Sequence, residues 1–171
     1  MKGKFGKKKE VSEFEQKLLD VARVARVMEG GRRFSFRATV AIGNRKGKVG
    51  VGVAKALNVA SAVEKATAVA KKNMINILIS GRSISHKVSS KFGAARINLI
   101  PAREGRGIIA GGSVRTILEL VGIQDVSSKI MGSNSKINNA KAAIVALGKL
   151  SVKNVSAVKE KPVKEEKSIK N

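Results

Sequence analysis

The stretch from Gly30 to Gly52, GGRRFSFRATVAIGNRKGKVGVG, indicates the fold of the first half of the chain. Apolar residues alternate with other residues over Phe34–Ile42, which is typical of a β-strand with one buried face. The loop Gly43–Gly47 then leads into a second alternating run, Val49–Val53. Glycines occupy the other face of this run, where a neighbouring backbone or a phosphate could approach closely. The stretch therefore predicts a β-hairpin with a bare face and a basic tip.

The residues after this hairpin show helical and extended patterns in turn, which predicts an α+β fold. Asn58 can act as the N-cap of a helix to about Asn73, whose Val and Ala stripe would pack on the sheet. The further predicted elements are a strand over 75–81, a strand pair over 83–89 and 95–100, a helix to Val121 with Ser113 as its N-cap, a strand over Val126–Met131 and a helix over about Asn138–Leu150.

The segment before the hairpin is less clearly patterned. Ser12-Glu13-Phe14-Glu15 fits a capping box, which predicts a short helix to about Leu19. Residues 21–27, VARVARV, fit either a helix or a strand. Residues 1–11 form a Lys-rich arm and residues 152–171 a weakly hydrophobic tail, and both are expected to be disordered.

Composition and charge point to a polyanionic partner. The 171 residues carry a formal net charge of +23 and a pI near 10.9, while 43% of them are hydrophobic, as in a folded domain. Between Gly30 and Arg103 the only acid is Glu64, and such a one-sign stretch is typical of a binding face. The chain lacks cysteine, a membrane-spanning apolar run and a signal-peptide pattern, so we expect a cytoplasmic protein.

Catalytic and cofactor motifs are weak throughout the sequence. Gly105-x-Gly107-x-x-Ala110, with Asp125 twenty residues after Gly105, formally matches a dinucleotide fingerprint, but its glycines do not directly follow a strand. The loop at 43–48 is one residue short of a phosphate-binding P-loop. His86 is the single histidine, and neither paired acids nor metal-ligand spacing is apparent. We therefore expect no enzyme activity, cofactor, metal or small-molecule substrate.

Three features suit RNA. The first is a cluster in which arginines flank bare glycine backbone: Arg23, Arg26, Gly30, Gly31, Arg32 and Arg33. The second is the hairpin loop with Arg45, Lys46 and Lys48. The third is the Gly105–Gly112 loop, which leads to a helix N-terminus that favours anions.

Each feature has an alternative interpretation. The apolar Ile108 and Ile109 would equally suit a protein–protein surface. Lys71 and Lys72 can serve the helix dipole or contact RNA. Phe34 and Phe36 are expected in the core, although exposed aromatics can stack on bases.

Several motifs together resemble one known family. They are Gly30-Gly31-Arg32-Arg33-Phe34-Ser35-Phe36, Val49-Gly50-Val51-Gly52, Lys71-Lys72-Asn73-Met74, His86, Pro101-Ala102, Gly107-Ile108-Ile109-Ala110-Gly111-Gly112, Leu118-Glu119-Leu120-Val121-Gly122-Ile123 and Gly132-Ser133-Asn134. Their order and spacing over about residues 12–150 are similar to those of the small-subunit ribosomal protein five family.

The resemblance implies an α+β fold with two domains. The first, residues 12–81, would be a double-stranded-RNA-binding-like domain with a three-stranded sheet plus a helix, in which residues 21–28 form the first strand. The second, residues 82–151, would be a β-α-β-α domain with a left-handed crossover.

The resemblance also implies a ribosome-bound structural protein that binds small-subunit rRNA near the body–head junction. It would contribute to the mRNA entry channel and to translational accuracy, beside small-subunit proteins three, four and eight. The protein-interface residues would be Gly107, Ile108, Ile109, Gly111, Gly112 and Arg115. The rRNA-binding residues would be Arg23, Arg26, Gly30, Gly31, Arg32, Arg33, Arg37, Arg45, Lys46, Lys48, Lys55, Lys71, Lys72, Ser133 and Asn134.

The sequence departs from the family pattern at several positions. Asn44 stands where an acid is usual, Arg106 replaces a threonine, Lys136 replaces a proline, and aromatics are missing near Val51 and Val53. Two other functions remain as rivals. A free double-stranded-RNA regulator would use the first domain alone, so it would not account for the family motifs found in the second domain. A peripheral membrane protein would need a helix with an unpartnered apolar face.

Overall fold

The computed structural model describes residues 13–77, 79 and 81–150, which form two four-stranded sheets and three α-helices. The elements in chain order are β1 Glu15–Met28, β2 Gly31–Gly43, β3 Lys48–Ala56, α1 Val59–Lys72, β4 Ile75–Asn76, β5 Val88–Phe92, β6 Ala95–Pro101, β7 Ile108–Ile109, α2 Gly112–Val121, β8 Val126–Gly132 and α3 Lys136–Gly148. The predicted α+β class is confirmed. The predicted arm at 1–11 and tail at 152–171 lie outside the described residues.

The first sheet has the order β1-β2-β3-β4 and is antiparallel, so a short fourth strand adds to the three that were predicted. β1 pairs with β2 along its whole length, with a bulge between Leu18 and Asp20. The helix predicted to end at Leu19 is therefore wrong, because Glu15–Leu19 belongs to this strand. A capping box is a local preference, and pairing with the long β2 strand overrides it.

Helix α1 covers one face of the first sheet. Its small side chains Ala62, Ala66 and Ala70 pack with Ala38, Val40 and Ile42 in a compact aliphatic core. A Cβ atom at Gly50 or Gly52 would overlap the carbonyl oxygens of Ala70 and Ala66. The bare glycine face of β3 therefore receives the backbone of α1, which was one of the two partners expected there.

The other face of the first sheet packs against the second half of the chain. Ala41, Val49 and Val51 belong to one continuous core with the apolar residues of α2 and α3. The β2–β3 loop also docks on the C-terminal end of α2, because the N–H groups of Arg45 and Gly47 donate to the carbonyls of Leu120 and Val121, each at 2.9 Å. The two sheets therefore share a packed seam.

The second sheet has the order β5-β6-β8-β7, and its only parallel pair is β7 with β8, which α2 connects. The hand of this crossover and the domain boundary at 81/82 stay predictions. Several predicted elements have different bounds. Among the described residues, the strand over 75–81 is limited to Ile75–Asn76, and the strand over 83–89 lies instead at Val88–Phe92. The N-cap of α2 is Gly111 and not Ser113, and α3 begins at Lys136. Lys136 occupies the first helical position, where a proline is also well tolerated.

Candidate nucleic-acid interface

The far end of the β1–β2 hairpin extends beyond the rest of its sheet. β3 pairs with β2 only from Phe36 onward, so residues 24–35 form a two-stranded extension without a third strand. We call residues 23–35 the arginine ribbon. Its turn contains Gly30 at φ +80°, a conformation that glycine adopts without strain, and a Cβ at Gly30 or Gly31 would meet nothing within 4 Å. The ribbon therefore brings together the first predicted RNA cluster on an open surface.

The two faces of the ribbon differ. On one face the guanidinium of Arg23 lies 4.5 Å from the ring centroid of Phe34, which is a cation–π arrangement. Phe34 is 46% exposed and Phe36 is half-buried, so the prediction that both are core residues is wrong for Phe34. The physical reason is that Phe34 lies past the last residue that β3 pairs.

The other face of the ribbon forms a basic cavity. Arg26 and Arg33 are directly opposite each other in the strand register, so their side chains emerge on the same face. With Lys55 and Lys65 they line a cavity of about 340 Å³, and its lining contains no acid. Lys65 was not predicted as a site residue, because only the packing of α1 beside the sheet brings it to these arginines. We refer to this feature as the basic cavity.

Arg37 continues the same face toward the body of the sheet. It lies opposite Lys55 in the register, so two cations face each other across the strands. Its Nε atom is buried and has no hydrogen-bond partner among the described residues. Like charges in opposite positions and a buried unpaired donor both cost stability, and both costs fall when an anion binds.

The β2–β3 loop lies at the opposite end of β2 and has a different environment. Arg45 Nε donates to Glu15 Oε2 at 2.7 Å, and this hydrogen bond lowers the pKa of Glu15. Asn44 Oδ1 accepts from the N–H groups of Lys46 and Lys48, at 2.8 and 3.0 Å, so the amide organises the loop. The side chains of Lys46 and Lys48 are exposed, but the structure does not bring them together with the arginine ribbon.

The remaining predicted RNA-binding residues lie at helix ends. Lys71 and Lys72 form the exposed last turn of α1, where cations stabilise the helix dipole. Ser133 and Asn134 lie between β8 and α3, and Ser133 Oγ accepts from the N–H of Ser135 at 3.1 Å. Asn134 lines a cavity with the start of α2 and does not line the basic cavity.

Asp125 organises the Gly-rich loop, a role that sequence reasoning missed. Asp125 is 1% exposed as a residue. Its Oδ1 accepts from the Gly107 N–H at 2.8 Å, and its Oδ2 accepts from Arg82 Nε at 3.2 Å. The hydrogen bond from the Gly107 N–H is the main cause of the lowered pKa of Asp125. Burial raises this pKa, while a hydrogen bond from the Gly105 N–H and the charge of Arg82 lower it further. The spacing of Gly105, Gly107 and Asp125, which formally matches a dinucleotide fingerprint, therefore reflects a carboxylate that holds the Gly-rich loop in place; we call this contact the loop brace.

The residues predicted to form a protein interface lie in different environments. Ile109 is 47% exposed, while Ile108 is half-buried beside β8. Arg115 is exposed but donates to Glu119 at 3.1 Å, and Glu119 also accepts from Lys17 of β1 at 2.8 Å. The Lys17 hydrogen bond is the largest cause of the lowered pKa of Glu119. Arg115 therefore belongs to an ion cluster that joins both halves of the chain.

Two kinds of feature are not found in the part of the chain that the structure describes. No helix there is both long and apolar enough to cross a bilayer. No group of three or more His, Cys, Asp or Glu side chains there is arranged to hold a metal ion.

Comparison with known proteins agrees with this architecture. Residues 14–78 match the family model described as ribosomal protein S5, N-terminal domain, and residues 90–160 match ribosomal protein S5, C-terminal domain. The chain is 50% identical over 135 residues to "Small ribosomal subunit protein uS5" of Campylobacter jejuni, which covers 79% of this chain and 92% of the relative.

Two other relatives show similar agreement. "Small ribosomal subunit protein uS5c" of Emiliania huxleyi is 49% identical over 139 residues, covering 81% of this chain and 87% of its own length. "Small ribosomal subunit protein uS5" of Trichormus variabilis is 46% identical over 144 residues, covering 84% and 83%. With both domain models matched in order over most of its length, this chain belongs to the ribosomal protein S5 family.

Proposed function

We propose that this chain, an RNA-binding structural protein of the small ribosomal subunit and not an enzyme, binds rRNA chiefly through the arginine ribbon. The single observation that carries this proposal is the basic cavity, in which Arg26, Arg33, Lys55 and Lys65 surround a space of about 340 Å³. Four cations without a lining acid repel one another, and a phosphate between them offsets part of that repulsion by attraction to each of them.

The geometry of the ribbon favours a backbone-directed mode of binding. Arginine side chains present planar donor forks that match phosphate oxygens, and the bare turn at Gly30 and Gly31 admits a close approach of RNA. Arg37 lies on the same face and adds positive charge beside the basic cavity. Recognition of this kind follows the shape and phosphate positions of folded RNA more than its base sequence.

The proposed mechanism is the displacement of counterions from rRNA phosphates. Each phosphate neutralised by Lys or Arg releases condensed cations, so affinity falls as salt rises, with a slope proportional to the number of contacts. The net charge of +23 makes this contribution large. The chain would thereby hold rRNA segments in register near the body–head junction.

The experiment is a filter-binding titration of the full chain on small-subunit rRNA across a salt series. Arg26→Ala with Arg33→Ala removes two walls of the basic cavity, and Lys87→Ala with Lys91→Ala is the matched control, since it removes two exposed cations elsewhere. We expect the first pair to reduce the salt slope by about 2, since each lost phosphate contact removes about 1, while the control changes it less. Equal slopes for the two pairs would contradict the assignment.

The finer roles also belong to the proposal. The surface formed by Gly107–Ile109 and Arg115 would meet small-subunit protein four and influence translational accuracy, with proteins three and eight as further neighbours. The exposed Lys46 and Lys48 would add electrostatic attraction toward mRNA at the entry channel. The protein would be ribosome-bound in the cytoplasm.

A further inference from the structure

A cavity of about 440 Å³ lies where the starts of α2 and α3 converge beside the β1 bulge. Gly112 and Ser113 line it from the first turn of α2, and Lys136 lines it from the first turn of α3. Asn139 closes it from the second turn of α3. This cavity is separate from the basic cavity, and the two share no lining residue.

Both helix N-termini at this cavity are open. The N-cap residues Gly111 and Ser135 make no side-chain capping hydrogen bond, and neither first turn contains an acid. The first N–H groups of each helix therefore lack the partners that capping would supply. A Cβ at Gly111 would lie 2.5 Å from Cδ1 of Ile130, so a capping side chain fits there only if Ile130 moves.

Asn139 provides an independent sign of a ligand. It is only 2% exposed, it lines the cavity, and its Oδ1 has no hydrogen-bond partner among the described residues. A carboxamide carries two N–H donors beside its acceptor, and a half-turn about its terminal bond exchanges them. With the carboxamide turned in this way, Asn139 presents an N–H donor to the cavity that Gly112, Ser113 and Lys136 also line.

The helix N-termini at the cavity, and not a free cation, favour a ligand that accepts hydrogen bonds. Lys136 Nζ lies 3.0 Å from Asp20 Oδ1, so this lysine is already neutralised by a carboxylate of β1. None of the residues that line the cavity is an acid. The attraction must therefore come from the helix dipoles and the unpaired N–H groups, an arrangement that binds oxyanions.

We propose that this cavity is a phosphate site that holds one phosphodiester of the rRNA backbone. The proposal rests on the proposed function for the choice of RNA as the source of the phosphate. It also assigns Gly111 and Gly112 to RNA, in agreement with the anion-binding interpretation of the Gly105–Gly112 loop and in place of the protein interface that the family resemblance implied.

The first test uses the full chain labelled with ¹⁵N and titrated with inorganic phosphate at constant ionic strength. The amide signals of Gly112, Ser113 and Ile137 and the side-chain amide of Asn139 are expected to shift and saturate together. Gly112→Asp places a carboxylate in the first turn of α2, where a Cβ meets nothing within 4 Å, and should abolish these shifts. An acid there favours the helix dipole, so the variant is expected to fold.

The matched control is Gly148→Asp, which makes the same change at the last residue of α3, also in open space. It should keep the phosphate-dependent shifts. Absence of saturable shifts in the unaltered chain, or equal shifts in Gly112→Asp, would overturn the site.

The second test separates free phosphate from rRNA. In filter binding on small-subunit rRNA, Gly112→Asp should reduce the salt slope by about 1 relative to Gly148→Asp, as expected for one lost phosphate contact. Saturable shifts with an unchanged slope would mean a free-anion site and would overturn the rRNA assignment. The arginine-ribbon variants test the proposed function independently, because they leave this cavity intact.

Discussion

The two ends of the β2 strand have similar composition and opposite environments. The arginine ribbon at one end and the Asn44–Gly47 loop at the other both combine glycine with basic residues, about 40 Å apart for a strand of this length. At the ribbon, a Cβ on Gly31 would meet nothing within 4 Å, whereas a Cβ on Gly43 would overlap the backbone of Leu120. A sequence that combines glycine and arginine therefore does not by itself indicate an RNA site. Whether another part of the chain packs against it determines whether it is open to RNA.

The largest effect expected from this difference is on stability. Gly43→Ala should destabilise the fold by about 3 kcal/mol or more, since the new methyl group forces the docked loop and α2 apart. Gly31→Ala, the matched change at the ribbon, should alter stability by less than about 1 kcal/mol. Denaturant unfolding of both variants gives the comparison, and similar midpoints would contradict the difference in packing.

A second expected effect is on RNA affinity. Arg33→Ala should lower the salt slope of rRNA binding by about 1, because Arg33 lines the basic cavity. Arg45→Ala should lower it less, because the guanidinium of Arg45 is bound to Glu15 at 2.7 Å. A larger change for Arg45 in filter binding would mean that the docked loop, and not the ribbon, carries the main contact.

The smallest expected effect concerns pH. The pKa of Asp125 is lowered in the folded state, chiefly by the Gly107 N–H, so its ionised form contributes stability at neutral pH. This contribution should be complete above the unfolded pKa of about 4, decline as pH falls below it, and be lost as pH falls through the lower pKa of the folded state. Asp125→Asn should flatten the acid limb of a plot of unfolding free energy against pH. An unchanged acid limb would show that the brace does not depend on charge.

The sequence was sufficient for those parts of the fold whose pattern is local. The alternation over Phe34–Ile42 and the Val and Ala stripe of α1 predicted their elements within a few residues. The segment Glu15–Leu19 was mispredicted because its capping residues favour a helix locally, while a distant strand supplies its hydrogen bonds. Phe34 was mispredicted because alternation does not show where the neighbouring strand ends.

The types of residue in the candidate site could be predicted from the sequence, but which of them lie together in the fold could be predicted less well. Arginine and glycine chemistry identified the ribbon, but only tertiary packing brings Lys65 to Arg26 and separates Arg45 from them. The Gly107–Asp125 pair was visible as a spacing, yet its meaning as a brace needed the loop geometry. Sequence predicted the chemistry at these positions, and contacts between distant segments determined which residues act together.

The most direct test of the arginine ribbon as the main rRNA contact is co-sedimentation of the tagged full chain with small subunits, before and after a high-salt wash. We expect the unaltered chain and the Lys87→Ala/Lys91→Ala variant to stay with the subunits after the wash. The Arg26→Ala/Arg33→Ala variant should move to the top of the gradient. Retention of all three proteins in equal amounts after the wash would contradict the central role of the ribbon.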